Sequence, residues 1–142
     1  MLGIEPDIVA DFVAAGAVEL VFWPVLNHGQ PSVNATLANH CLGIENPAAF
    51  WPMHHALFEQ QDALWRADYG FYLELALSFG ADADTFAACY GSDEAIRTIQ
   101  SLDRIRQERG VFGQPYFEIN GNLFAGAPPY EVFADVLRAA AP

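Results

Sequence analysis

Gly110-Val111-Phe112-Gly113-Gln114-Pro115-Tyr116-Phe117-Glu118-Ile119-Asn120-Gly121-Asn122 is the stretch whose reading decides the fold. Pro115 opens a short apolar run and Asn120-Gly121 closes it. The pattern predicts a strand over Pro115–Ile119, entered through an X-Pro bond and left through a tight type I′ turn. Proline is tolerated at the first residue of a strand because its missing N–H need not join the ladder. A second short strand is expected near Leu123-Phe124, so the segment reads as a hairpin.

The rest of the chain frames this hairpin with helices. Pro6 to Ala15 reads as the end of a helix stopped by Gly16. Val18-Glu19-Leu20-Val21-Phe22-Trp23 reads as a mostly buried strand ended by Pro24. From Ser32 to Gly110 the chain reads as helical, in five pieces. Val33, Leu37, His40 and Cys41 share one face of the first. Pro47 opens the second, with Phe50, Trp51, Leu57 and Phe58 on one stripe. Ala67–Phe79 is the third. Asp82 or Asp84 caps the fourth, which contains Phe86 and Cys89. Ser92–Arg109 is the fifth, with Ile96, Ile99, Leu102 and Ile105 inward. Pro128-Pro129 opens a last helix with Val132, Phe133, Val136 and Leu137 inward. The order is helix, strand, five helices, strand hairpin, helix, which predicts one α/β domain over residues 1–142 with a helical insertion at 32–110.

Composition narrows the function. The 142 residues suffice for one domain with a real core. A net charge of −12 with only 6 basic residues argues against nucleic-acid binding. No apolar run reaches the roughly 18 residues that span a bilayer. The first residues carry Glu5, Asp7 and Asp11 and no early basic residue, unlike a signal peptide. Cys41 and Cys89 are too far apart for a Cys-x-x-Cys pair. With His28, His40, His54 and His55 they also lack zinc-finger spacing, and no metal or other cofactor is expected.

Taken in order, Asn39-His40-Cys41, Phe50-Trp51-Pro52-Met53-His54, Leu57-Phe58, Phe86-Ala87-Ala88-Cys89, Gln114-Pro115 and Gly126-Ala127-Pro128-Pro129-Tyr130-Glu131 resemble the DsbA-like branch of the thioredoxin fold. That resemblance implies an α/β thioredoxin-like fold whose thioredoxin-type portions are 1–25 and 111–142. It implies a cis peptide at Pro115, with Gln114 and Pro115 either as remnants of a substrate groove or simply as an inherited turn. Gln114 stands where the family usually has Thr or Val. The family's central first strand and its Cys-x-x-Cys would precede Met1, so the chain reads as truncated at its N-terminus, either a fragment or one with a mis-assigned start.

The resemblance also bears on activity. Disulfide exchange needs a thiolate and a leaving sulfur placed together. The chain is therefore expected to be oxidoreductase-like in ancestry without exchange activity and with no catalytic residue. The alternative is a peptide-binding, chaperone-like or dimerisation module. Its partners would be a polypeptide or a second copy in a strand-swapped or edge-paired homodimer. Cys41 and Cys89 are read either as buried free thiols or, as several family members suggest, as a structural disulfide. The family works outside the cytoplasm, and an extracytoplasmic location is implied on that ground alone. His54 is expected to make a polar contact within the insertion. Trp23, Phe50, Trp51 and Phe58 are expected in the core, with an exposed subset lining a peptide groove as the alternative, and Glu45, Glu59, Asp62 and Asp68 are expected on a solvated face.

Overall fold

Prolines, aspartates and glycines set the helix boundaries in the computed structural model, which describes residues 3–140. Helix α1 (Glu5–Ile8) carries Pro6 in its first turn and runs into a π-helical turn, Val9–Val13. Gly16, at φ 72°, ends it, because that left-handed conformation is open to glycine without strain. Helix α2 (Gln30–Glu45) starts with Pro31 in its first turn. A 3₁₀ turn at Pro47–Ala49 leads into α3 (Phe50–Glu59). Asp68 starts α4 (Tyr69–Ser78) by accepting the Phe71 N–H at 3.1 Å. Of the two expected caps on α5 (Ala83–Tyr90), Asp82 takes the position and accepts the Thr85 N–H at 2.9 Å. Ser92 caps α6 (Asp93–Glu108) through the Ala95 N–H. Strands β1 (Tyr116–Ile119) and β2 (Asn122–Ala125) pair antiparallel. Their turn residues Asn120 and Gly121 have φ 48° and 85°, both positive as a type I′ turn requires. Helix α7 (Tyr130–Ala140) follows Pro128-Pro129.

The architecture is mixed α/β and thioredoxin-like, with a large helical insertion and a small two-stranded sheet among the described residues. It divides into two units. The helical unit, Trp23–Glu108, buries Leu37, Leu42, Met53, Tyr72, Phe86 and Ile99 in one cluster. The terminal unit joins the residues up to Phe22 with those from Arg109 onward. It buries Ile8, Phe12, Phe133, Ala134 and Leu137, and Phe117 of β1 meets the Phe133 ring edge-on at 4.6 Å.

Several expectations are corrected. Val18–Trp23 forms no strand. Alternate residues are half-buried and exposed in a period of two, as in an extended chain with one face inward, but no described segment supplies a ladder. Trp23 is exposed, and its indole N–H donates to the Leu102 carbonyl at 2.9 Å. Val132 faces solvent on α7, where Phe133, Ala134 and Leu137 form the buried stripe. Glu45 is half-buried and accepts the Asp82 N–H at 2.6 Å, so it and the capping Asp68 are structural acceptors as well as surface charges.

On α6 the sequence reading followed isoleucines and missed a buried ionic group. Asp103 and Arg106 are buried on the face that holds Ile99. The Asp103 carboxylate accepts from the Leu26 N–H at 2.7 Å, from Arg106 Nε at 2.9 Å and from Gln107 Nε2 at 2.7 Å. Burial alone would raise this carboxyl, but those donors hold it below the usual aspartate value of 3.8. The folded pKa is thus depressed, so the stabilisation is complete above the unfolded value and fades as pH falls through and below about 3.8. Asp103→Ala, which strips the carboxylate from beside buried Arg106, should cost about 3–5 kcal/mol in urea unfolding at pH 7. Arg104→Ala, which breaks the exposed pair with Glu108 and an exposed hydrogen bond to Ser101 Oγ, should cost about 1 kcal/mol or less. Asp103→Asn should flatten the loss of stability on acidification relative to the parent chain.

Candidate functional site

In the terminal unit the loop before β1 is built around a cis peptide between Gln114 and Pro115. The Pro115 carbonyl accepts the Gly126 N–H at 2.9 Å, which ties the loop to the chain leaving β2. Arg109 and Glu118 close the base of the loop as an ion pair at 2.5 Å. Held this way, the loop turns alternate side chains outward. Phe112 is 70% exposed, Gln114 is exposed, and Tyr116 is 37% exposed, while Pro115 is partly buried. Two aromatic rings and a primary amide therefore face water along one short stretch. An exposed ring such as Phe112 offers contact area to a partner, and the Gln114 amide offers both donors and an acceptor.

Beneath the hairpin, the Tyr130 hydroxyl at the start of α7 donates to the Asp11 carboxylate. That bond, followed by burial, pushes the Tyr130 phenol up to about 12. The Asn120 side chain, at the hairpin turn, donates to the Ala140 carbonyl at 3.0 Å. Both contacts fix the hairpin and its helices within the terminal unit.

The helical unit holds the sulfurs. Cys41 and Cys89 form a disulfide with S–S 2.00 Å and Cα–Cα 5.6 Å. Cys41 is buried and Cys89 half-buried. Tyr90 lies next to the bridge in sequence and stacks against Tyr72 and Phe86. Burial, reinforced by Tyr72 and Tyr69, pushes its phenol up to about 12, so it stays neutral across the physiological range. His54 is buried among rings, with the Phe58 centroid at 4.8 Å and that of Trp51 at 5.2 Å. Burial lowers the pKa of His40. Among the described residues no three His, Cys, Asp or Glu side chains come together as a metal-holding group.

The same unit holds an open groove, whose place the sequence did not fix. His40, Gly43, Ile44, Pro47, Phe50 and Trp51 line about 370 Å³ between α2 and the start of α3. Phe50 and Trp51, expected in the core, are half-buried there, and Ile44 is 65% exposed. The only signal was the apolar stripe of α2 continuing past its buried face. Gln114 and Pro115 belong to one unit and Cys41 and Cys89 to the other. With both sulfurs joined to each other, the chain has no free thiol to act as a nucleophile.

Comparison with known proteins bears on this architecture. Residues 12–138 match the family described as "DSBA-like thioredoxin domain". A segment of 58 residues is 41% identical to "Disulfide bond formation protein D" of Bacillus subtilis (strain 168), and covers 41% of this chain and 26% of that relative. No solved structure shows a significant match.

Alkylation of the unfolded, unreduced protein should find no free thiol by mass spectrometry. Cys41→Ala with Cys89→Ala opens a loop set by a sequence separation of 48. The double variant should lose about 4 kcal/mol of unfolding free energy.

Proposed function

Because the chain belongs to the DSBA-like thioredoxin domain family, we propose that it is a member that binds polypeptide without exchanging disulfides. The observation that carries this reading is the pairing of its two cysteines with each other, 48 residues apart and with one sulfur-bearing residue fully buried. Exchange proceeds by attack of a thiolate on an accessible disulfide sulfur: this chain has no free thiol to attack with, and burial of Cys41 with half-burial of Cys89 shields its one disulfide from a substrate thiolate. What remains is a contact surface. Phe112, Gln114 and Tyr116 beside Pro115 form the substrate-groove remnant, and an extended, unfolded polypeptide is the ligand that suits two exposed rings and an amide. The net charge of −12 favours neutral or basic segments over acidic ones.

The printed name of the Bacillus relative ties that protein to disulfide bond formation. An oxidising, extracytoplasmic setting for the present chain accords with that kinship and with a disulfide between its two cysteines. No described helix is long and apolar enough to cross a membrane, and that bears only on helical spans.

Two assays on the full chain test the proposal. Reduction of insulin, or oxidation of a dithiol peptide, should proceed at the uncatalysed rate. Binding of a reduced, carboxymethylated polypeptide, followed by fluorescence anisotropy, should weaken roughly tenfold in Phe112→Ser, which is the loss of about 1.4 kcal/mol of contact. Phe112 is exposed, so the substitution should leave the thermal midpoint unchanged. Catalytic turnover would overturn the non-exchanging reading, and unchanged binding in Phe112→Ser would overturn the assigned surface.

A further inference from the structure

The register of the hairpin determines which main-chain groups of β1 are used. Ile119 pairs with Asn122 directly across the two-residue turn, and Phe117 with Phe124. In an antiparallel pair, hydrogen-bonded positions alternate with positions whose amides face away. The Gly126 N–H on the Pro115 carbonyl continues the same parity. The N–H and C=O groups of Tyr116 and Glu118 therefore point off the outer edge of β1. No ladder meets them there among the described residues.

This edge lies over the core of the terminal unit. Phe117 and Ile119 pack against the cluster of Ile8, Phe12, Phe133 and Leu137, whereas β2 buries only Phe124 in part. A two-stranded hairpin alone is marginal in water, and a third strand on the core side adds the most. An edge of this kind pairs readily with another chain unless charge or bulges protect it. Here the single charge on the edge, Glu118, is already paired with Arg109.

We propose that β1 is a self-pairing edge, and that a second copy of this chain docks on it antiparallel about a two-fold axis through Phe117. This goes beyond the polypeptide-binding reading and does not rest on it. The short edge sequence is complementary to itself in this register. Tyr116 of one copy lies opposite Glu118 of the other, so each carboxylate faces a phenol and no two carboxylates meet. The two Phe117 rings face each other at the closely spaced, non-hydrogen-bonded position, on the face that continues the apolar core. Tyr116 exchanges its N–H and C=O with Glu118 of the second copy, and Glu118 with Tyr116, which joins the two hairpins into one four-stranded sheet.

Sedimentation equilibrium of the full chain over a concentration series should show a species of twice the 15.6 kDa chain mass at the upper end. Glu118→Pro removes an outward N–H that the hairpin does not use. It should sediment as a monomer with an unchanged far-ultraviolet spectrum. As an independent arm, Phe117→Cys should form an intermolecular disulfide across the axis on air oxidation, while Tyr116→Cys, off the axis, should not. A parent chain that stays monomeric at every concentration overturns the proposal. So does a dimer that survives Glu118→Pro, or cross-linking through position 116 rather than 117.

Discussion

The bridge between Cys41 and Cys89 ties the C-terminal part of α2 to the end of α5. Around it the helical unit assembles its core. Leu37, Ala38 and Leu42 flank Cys41 on α2, and Phe86 lies one turn before Cys89 on α5. Closing so long a loop removes chain entropy from the unfolded state, and it places a covalent tie where α2 and α5 pack. The same bond has a chemical consequence, since it consumes both cysteine sulfurs of the chain. Structure and reactivity are thus coupled through one feature: what holds the insertion together also leaves the chain without an attacking thiol.

The second organising feature is the Asp103 carboxylate. It takes the Leu26 N–H from the connecting segment and two side chains from α6 itself. A main-chain donor fixed to a helix in this way anchors a segment that has no regular structure of its own. Trp23 adds a second anchor of the same kind through its indole and the Leu102 carbonyl. The path from Trp23 to Leu26 is therefore set by side-chain to backbone contacts with α6 rather than by a sheet.

Local signals in the sequence were dependable where local physics decides. Asn120-Gly121 specifies its turn by two positive φ values, Gly16 its helix end, and Asp82 and Ser92 their caps, because each depends only on residues within a few positions. The Gln114-Pro115 loop and the order of helices were legible for the same reason, together with the family likeness. Val18–Trp23 was misread because a strand exists only with a ladder partner, and period-two patterning reports a one-sided extended chain whether or not a partner is present. Asp103 and Arg106 were invisible because a buried charge depends on donors that arrive from elsewhere, here Leu26, 77 residues away in sequence. Which aromatics line the groove beside Trp51 was not legible, because an apolar stripe does not reveal how much of its width a neighbour covers.

The account rests on the claim that the fold of a thiol–disulfide family here serves contact rather than exchange. Trapping tests this most directly. The native, oxidised chain would be incubated with a reduced peptide carrying one cysteine, quenched with acid, and measured as intact mass. The account predicts the mass of the unmodified chain, with Cys41 and Cys89 still joined. A mixed disulfide between the peptide and either cysteine, formed while the chain remains folded, would contradict it.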